Sequence, residues 1–377
     1  MKFNTKCVHG SGKPDSTGAI SPAIYMSSTF THPGLGETTG FQYTRESNPT
    51  RDRLETLIAG LEEGTDAIAF SSGMAAVDAV FHLFSPGDHV ILGDDLYGGS
   101  IRLFTNIYEK NGVEFTYVGT SDLDAVQAAF KPNTKAVYIE TPTNPMMEIT
   151  DVRALSKMAH DRNALVIVDN TFLSPYFQKP LNLGADIVVH SGTKFIGGHH
   201  DVISGFTIVK DDELAAQLRL IYKTVGACLS AFDSWLVIRG VKTLALRMEQ
   251  HQKNAIALAE WLKNEPKVTK VLFPALPEHP GYEINKSQTT GFGGMLSFEV
   301  DSEETAKQVL EGIQLIQFAE SLGGTESLLT YPVTQTHPDL KPEDAERKGI
   351  TRRLLRLSVG IEDTDDLIAD LAQAFNK

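Results

Sequence analysis

The stretch of sequence that decides the fold is Asp186-Ile187-Val188-Val189-His190-Ser191-Gly192-Thr193-Lys194. A continuous apolar run of this kind is typical of a strand that is buried on both faces of a parallel sheet. The run leads to a lysine with hydroxyl residues beside it, and the preceding run, Leu165–Asp169, ends on a carboxylate. Open α/β sheets bind ligands beyond the carboxyl ends of their strands, so we expect Asp169 and Lys194 to face one site.

Short apolar runs and helical patterns alternate over residues 55–210, on both sides of this stretch. Such alternation implies an α/β fold with a mainly parallel, seven-stranded sheet, right-handed crossovers and helices on both faces. The predicted strands are Ala67–Phe70, His89–Leu92, Glu114–Val118, Ala136–Glu140, Leu165–Asp169, Asp186–His190 and Ile203–Val209. The predicted helices between them include Met74–Leu83, Ser100–Asn111, Leu123–Phe130 and Val152–Arg162.

Residues outside this region form two further units, so that the predicted division is an arm over 1–52, the α/β domain over 53–245 and a smaller α+β domain over 246–377. The arm is rich in Gly, Ser, Thr and Pro, but its apolar tract at 20–25 and its aromatic residues favour an extended segment that orders against a partner subunit. A long helical stretch with a break at Arg239-Gly240 leads into the last domain. The patterns predict this stretch at Leu214–Asn264, strands at Met295–Val300 and Leu354–Val359, a helix at Ser302–Leu315 and a final helix from about Asp363.

The composition argues against several classes of partner. The chain has 377 residues and a formal net charge of −14, which opposes binding to nucleic acid or an anionic membrane because both need a basic surface. No apolar run approaches the roughly 20 residues that span a bilayer, and no secretory signal is visible. Cys7 and Cys228 are predicted to be free thiols, so a reducing cytoplasm is the simplest compartment. The adjacent His199 and His200 would give poor ligand geometry, and no metal site is predicted.

The chemistry of the predicted site follows from three features that occur together. A lone lysine or aspartate at a strand end is usually just solvated, but a lysine of low pKa can form a Schiff base with an aldehyde. Pyridoxal phosphate (PLP) is such an aldehyde, and its ring nitrogen needs a nearby carboxylate, as Asp169 would supply. Its phosphate needs a cradle, and Ser71–Ala76 follows a predicted strand and opens a helix at Gly73. No Rossmann fingerprint follows the first strand, and no P-loop motif is present.

The chain resembles the Cys/Met-metabolism (transsulfuration) branch of the fold-type I, aspartate-aminotransferase-like PLP enzymes, which includes cystathionine γ-lyase, cystathionine β-lyase, cystathionine γ-synthase and methionine γ-lyase. The resemblance extends over nearly the whole chain, from Gly18 to Glu362. Its motifs are long and specific, and they lie at 43–50 (Tyr-Thr-Arg-Glu-Ser-Asn-Pro-Thr), 71–76 (Ser-Ser-Gly-Met-Ala-Ala), 95–99 (Asp-Leu-Tyr-Gly-Gly), 140–145 (Glu-Thr-Pro-Thr-Asn-Pro), 168–171 (Val-Asp-Asn-Thr), 190–194 (His-Ser-Gly-Thr-Lys) and 320–324 (Glu-Ser-Leu-Gly-Gly).

The resemblance implies a role for each matching position around the cofactor. Lys194 would bind PLP and then move protons between substrate carbons, with Tyr97 as the second catalytic residue, stacked on the ring. Asp169 would pair with the ring nitrogen. The phosphate would be held by the amides of Gly73 and Met74, by the hydroxyls of Ser191 and Thr193, and by Tyr43 and Arg45 from the arm of the neighbouring subunit. A dimer would then be the minimal active unit, and a homotetramer is usual in the family.

The resemblance also implies an amino-acid substrate. Arg356 would clamp the α-carboxylate through a bidentate fork, with Asn144 and the backbone of Ser321 and Leu322 beside it. Glu320 is similar to the residue in cystathionine γ-lyases, and a carboxylate there could hold the distal amino group of cystathionine. Gly99 stands where methionine γ-lyases typically carry a cysteine.

Which reaction the chain catalyses stays open at this point. The leading hypothesis is γ-cleavage of L-cystathionine with some β-cleavage; the alternatives are a β-lyase, a γ-synthase and a binding protein without turnover. The chain departs from the family pattern at Gln42, at Glu46-Ser47 and at 336–339 (Thr-His-Pro-Asp), and none of these departures touches the predicted cofactor site.

Overall fold

The computed structural model describes residues 1–336, 343, 345 and 348–377. Seven strands form the larger of its two sheets, as predicted, and each lies within two residues of its predicted bounds. Two of them, at 114–118 and 165–169, match the prediction residue for residue. The strands are β1 (Asp66–Phe70), β2 (His89–Gly93), β3 (Glu114–Val118), β4 (Thr134–Glu140), β5 (Leu165–Asp169), β6 (Ile187–Ser191) and β7 (Gly205–Val209).

The larger sheet has the order β1-β7-β6-β5-β4-β2-β3. Its strands are parallel from β6 through β3, and only β7 runs antiparallel to its neighbours β6 and β1. Successive residues of a strand point to opposite faces, and in β5 Val166 and Val168 join one buried cluster whereas Ile167 joins another. The sheet is therefore covered on both faces, which explains why its strands read as continuous apolar runs.

Seven of the thirteen α-helices with described bounds begin at a polar side chain that accepts a backbone N–H. The side chain of Ser72 accepts a hydrogen bond from Ala75 N–H at the start of the third helix, and Asp151 and Asp211 cap two others in the same way. The α-helices with described bounds are α1 (Phe3–His9), α2 (Pro49–Glu62), α3 (Gly73–Phe81), α4 (Gly98–Leu103), α5 (Leu123–Ala129), α6 (Val152–His160), α7 (Ser174–Phe177), α8 (Asp212–Val225), α9 (Ala231–Val241), α10 (Leu244–Lys263), α11 (Tyr282–Gln288), α12 (Glu303–Gly312) and α13 (Thr364–Phe375). A π-helical turn at Phe104–Tyr108 continues α4, and a 3-10 turn lies at Pro180–Asn182.

The predicted long helix over 214–264 is divided into α8, α9 and α10, with breaks at 226–230 and at 242–243, the second of them two residues after the predicted Arg239-Gly240. Gly226 ends α8 in a left-handed conformation, with φ of 86°, which a glycine adopts without strain. Gly240 lies inside α9, where a Cβ atom would come within 2.2 Å of the Gly197 carbonyl oxygen. The glycine at 240 thus serves close packing rather than a turn.

A second, five-stranded sheet has the order β10-β11-β12-β9-β8. The predicted strand Met295–Val300 is confirmed, whereas the short β8, β10 and β11 were not predicted. The side chains of Phe298 and Leu357 from this sheet pack with Phe375 of α13 in a separate buried cluster. Its strands are β8 (Val268–Leu272), β9 (Met295–Val300), β10 (Gln317–Phe318), β11 (Leu328–Thr330) and β12 (Leu354–Ser358).

The domain boundaries after residues 52 and 245 stay predictions. Within the predicted arm, α1 packs on its own chain, where the Cys7 side chain is buried. Among the residues that the structure describes, no helix is long and apolar enough to cross a membrane.

Candidate active site

A cavity of about 340 Å³ opens at the carboxyl edge of the larger sheet, between that edge and loops next to the second sheet. The structure brings together here twelve of the fourteen residues that the sequence predicted for the site. They are Gly73, Met74, Tyr97, Asn144, Asp169, Ser191, Thr193, Lys194, Glu320, Ser321, Leu322 and Arg356.

Lys194 follows β6 after a short turn, and its Nζ donates a hydrogen bond to Ser321 Oγ at 2.8 Å. Burial lowers the pKa of this lysine to about 8; the nearby guanidinium of Arg356 adds to the fall, and the carboxylate of Glu320 opposes it. A neutral amine is the nucleophilic form, so this environment increases the reactive fraction at neutral pH by orders of magnitude over an ordinary lysine.

Asp169 closes β5 as predicted, and its carboxylate points into the cavity. Its Oδ1 accepts a hydrogen bond from Thr171 N–H at 3.0 Å. Burial raises the pKa of this carboxyl, and the hydrogen bonds of Thr171 and the nearby His190 oppose that rise. A carboxylate that lines a cavity in this way would stabilise a protonated ring nitrogen.

The start of α3 provides the anion-binding group of the cavity. The amide of Ala75 is capped by Ser72 Oγ at 3.1 Å, and no hydrogen-bond partner from the described residues is found for the amides of Gly73 and Met74. A Cβ atom at position 73 would lie 2.9 Å from Ser191 Cβ, so glycine is needed for this close approach. Free amides at a helix N-terminus fit a phosphate group. Together with Lys194 and Asp169, they make the cavity fit PLP.

Arg356 lies in β12 and is 2% exposed. Its guanidinium donates from Nη1 to Asn144 Oδ1 at 2.8 Å and from Nη2 to the Ser321 carbonyl at 3.0 Å. Its Nε is buried and has no partner among the described residues. Burial lowers the pKa of Arg356 to about 10, so the side chain would gain from an anionic ligand such as a carboxylate.

The loop that carries Glu320, Ser321 and Leu322 is fixed against the lysine. Gly323 has a φ of 78°, and a Cβ atom there would come within 2.6 Å of Phe195 N, the residue after Lys194. The Gly323 amide donates to Ser358 Oγ at 2.8 Å. Only glycine permits this contact, which places the loop backbone directly against the lysine loop.

Tyr97 precedes α4 and extends over the cavity with 43% of its surface exposed. Its backbone N–H donates to Oε2 of Glu140, the last residue of β4, at 3.0 Å. Glu140 also lines the cavity, and the sequence reasoning gave it no role. A signal was present, because Glu140 closes an apolar strand in the same way as Asp169 does.

Tyr43 and Arg45 do not line the cavity of their own chain. The Arg45 guanidinium stacks over the Tyr43 ring, 5.5 Å from its centroid, and donates to the Lys223 carbonyl. Gln42 and Glu46-Ser47 lie on the same arm, and neither lines the cavity. Of the departure at 336–339, Thr336 lines the cavity, and His337, Pro338 and Asp339 lie outside the described residues.

Comparisons with known proteins agree with this geometry. Over residues 4–376 the chain matches the family described as Cys/Met metabolism PLP-dependent enzyme. It is 48% identical to a cystathionine beta-lyase of Lactococcus lactis subsp. cremoris, over 100% of this chain and 99% of that protein. It is 50% identical to a cystathionine gamma-synthase of Haemophilus influenzae, over 97% of this chain and 95% of that protein.

The fold comparison is equally close. The solved structure of cystathionine gamma-lyase from Lactobacillus plantarum complexed with L-serine superposes with a TM-score of 0.98 at 47% identity, over 100% of this chain and 99% of the other. The predicted fold-type I architecture is thereby confirmed. The chain belongs to the Cys/Met metabolism family of PLP-dependent enzymes.

Proposed function

We propose that this enzyme is a carbon–sulfur lyase that cleaves L-cystathionine by α,γ-elimination. One water is consumed, and the products are cysteine, 2-oxobutanoate and ammonia. Some β-elimination, giving homocysteine, pyruvate and ammonia, would accompany it. The observation that carries the proposal is Glu320, a carboxylate in the cavity that is close enough to act electrostatically on both Lys194 and Arg356.

The charges in the cavity suit a substrate with two amino-acid ends. Arg356 would bind the carboxylate at the reacting end, because its fork is buried and its Nε lacks a partner in the described residues. Glu320 would bind the ammonium group at the far end. Glu320 is exposed and is solvated by water when no second ammonium is bound, so it would favour cystathionine through charge pairing and not by penalising other substrates.

PLP, when bound, supplies an electron sink that makes the proton on the substrate Cα removable. Lys194 Nζ would take that proton and later return a proton to another substrate carbon, since a lysine with a pKa of about 8 can act as both base and acid near neutral pH. Its hydrogen bond to Ser321 Oγ, at 2.8 Å, orients the amine towards the substrate loop. Tyr97 would cover the open side of the site and exclude water.

Two other reactions remain as candidates, each supported by a relative of similar identity. A β-lyase would release pyruvate, as the name of the Lactococcus relative indicates for that protein. A γ-synthase would join cysteine to an O-acyl-homoserine, as the name of the Haemophilus relative indicates for that one. The three reactions share the cofactor site and differ in the bond that breaks.

The keto acid released from L-cystathionine separates these reactions. We expect 2-oxobutanoate as the main product and pyruvate as the minor one, measured by chromatography after derivatisation. In Glu320→Gln we expect KM for cystathionine to rise about tenfold, because one charge-assisted hydrogen bond is weakened. Glu326→Gln is the matched control, since its side chain is 60% exposed and does not line the cavity. Pyruvate alone, or cystathionine synthesis faster than its cleavage, would reject the proposal.

We also infer that two subunits share each site, through Tyr43 and Arg45 of the arm, and that dimers pair into a homotetramer. In support, neither residue contacts the cavity of its own chain, and the arm exposes the apolar side chains of Ile20 and Leu35. Mixing refolded Lys194→Ala and Arg45→Ala subunits should restore up to about a quarter of the parent activity, because one site of each mixed dimer is intact. No recovery would contradict the shared site. The cytoplasmic location stays a prediction.

A further inference from the structure

Glu140 is a buried carboxylic acid in the cavity for which the proposed reaction has no use. It is 6% exposed and ends β4, where it pairs in register with Asp169 at the end of β5. Tyr138 and Ile167, two residues earlier in each strand, belong to the same buried cluster. Because side chains alternate along a strand, Glu140 and Asp169 lie next to each other on one face.

A second carboxylate beside Asp169 is costly. Burial raises the pKa of Glu140 well above its usual range, and the neighbouring charges of Asp169 and Asp95 raise it further. The amide of Tyr97 and the guanidinium of Arg356 oppose the rise. A buried acid of this kind persists where a specific contact needs it, and its Oε2 accepts a hydrogen bond from Tyr97 N–H at 3.0 Å.

The contact to Glu140 joins Tyr97 to β4; the Tyr97 carbonyl accepts from Ser100 and Ile101 N–H within α4, and its ring lies against Gly99. The tyrosine stands at the N-cap of α4, with no side-chain capping bond there, and the residue is 43% exposed. The preceding strand, β2, is the direct neighbour of β4, so the turn after β2 passes over the end of β4. Glu140 therefore attaches the backbone of this turn to the same sheet edge that carries Asp169.

We propose that Glu140 is a positioning residue that sets the height of the Tyr97 ring above the cofactor. Asp169, at the end of β5, would pair with the ring nitrogen of the cofactor, and Glu140, at the end of the neighbouring β4, holds the backbone of the residue that would cover it. The inference rests on PLP binding in this cavity and is independent of which carbon–sulfur bond is cleaved.

Two variants distinguish the effect of the hydrogen bond to Tyr97 N–H from the effect of the charge on the Glu140 carboxyl group. Glu140→Gln keeps an oxygen that accepts the Tyr97 N–H, whereas Glu140→Met has a similar volume and no acceptor. With apoprotein titrated with PLP, followed by the absorbance and circular dichroism of the bound cofactor, we expect Glu140→Gln to bind within about threefold of the parent. We expect Glu140→Met to bind about tenfold more weakly, the effect of one lost hydrogen bond to a buried acceptor.

A double-mutant cycle tests whether Glu140 acts through Tyr97. In a Tyr97→Ala background, the change from Glu140 to Met should weaken PLP binding by less than about twofold. An equal loss in both backgrounds would overturn the proposal, because Glu140 would then act through Asp169 or the sheet. A loss in Glu140→Gln as large as in Glu140→Met would also overturn it, in favour of a role for the charge. Far-ultraviolet circular dichroism of each apoprotein checks that the variants fold.

Discussion

The two halves of the cavity are built in different ways. The cofactor half, which contains Gly73, Asp169, Ser191 and Lys194, stands on the ends of neighbouring strands of the larger sheet and on the helix and turn that follow them. The substrate half, which contains Asn144, Glu320, Ser321 and Arg356, comes from loops and from β12 of the second sheet.

This difference separates residues whose substitution would disturb the core from residues that can be substituted without disturbing it. The first half depends on strand ends whose apolar flanks must stay buried, so its residues are determined together with the fold. The second half depends on side chains such as Glu320, which lie on a loop and can change without altering the core. We therefore expect the first half to determine cofactor binding and the second to determine which reaction follows.

The largest expected effect comes from removing the charge in the cofactor half. Asp169→Asn should lower kcat by about 100- to 1000-fold, because a buried charge partner is lost and the amide cannot stabilise a protonated ring nitrogen. The measurements are kcat and the fraction of PLP retained after dialysis. The ratio of 2-oxobutanoate to pyruvate in the residual activity should not change. A changed ratio would show that the cofactor half also influences which bond is cleaved.

Arg356→Lys should have a smaller effect, confined to the substrate half. We expect kcat/KM to fall about 30- to 100-fold, mainly through KM, because lysine cannot reproduce the fork that reaches both Asn144 and Ser321. Cofactor absorbance should equal that of the parent. Arg352→Lys is the control, since that side chain is 69% exposed. A loss of cofactor in Arg356→Lys would contradict the assignment.

The two halves meet at Lys194. Changes of charge in the substrate half should therefore alter the pKa of this lysine and its reaction with PLP. The rate at which PLP rejoins the apoenzyme should rise with pH around the lysine pKa of about 8, far below the ordinary 10.5. Glu320→Gln should move this midpoint to lower pH and Arg356→Met to higher pH, because Glu320 raises and Arg356 lowers the pKa of Lys194. Shifts in the same direction in both variants would contradict this electrostatic account.

The smallest effect concerns Asp95, two residues before Tyr97. It is buried, its Oδ1 has no partner among the described residues, and burial raises its pKa to about 6 from 3.8. The stability that its protonated form contributes is therefore complete below pH 3.8 and is lost as pH rises through 6. Asp95→Asn should unfold at a higher temperature than the parent at pH 8, and the gap should narrow towards pH 5. A gap that is independent of pH would exclude titration of this group.

The sequence was sufficient for the larger sheet and the cofactor half. Each strand there is buried on both faces, so it leaves a long apolar run, and Asp169 and Lys194 stand out because they interrupt such runs. The short strands of the second sheet leave no such pattern. Gln317 and Phe318 of β10 are both exposed, and β8 lies at a sheet edge with a mixed pattern of burial.

Two further features could not be predicted from local patterns. Gly240 resembles a helix breaker in the sequence, but it lies inside α9. A glycine is needed there because the backbone of Gly197, which is distant along the chain, packs against it. Glu140 met the same criterion as Asp169, yet its contact is with a backbone amide on another loop, and no residue type encodes such a partner. The reaction itself rests on side chains whose neighbours are brought together only by the tertiary fold.

The close approach of Gly323 to the lysine loop has a consequence for how new activities arise. The backbone at Gly323 packs directly against the residue after Lys194, whereas the side chain at 320 is exposed and can be exchanged without disturbing that packing. A single substitution at 320 can then alter the charge presented to the leaving group and shift the pKa of Lys194 without changing the backbone of the lysine loop. A library that varies position 320 and retains Gly323 should therefore yield altered product ratios more often than inactive protein.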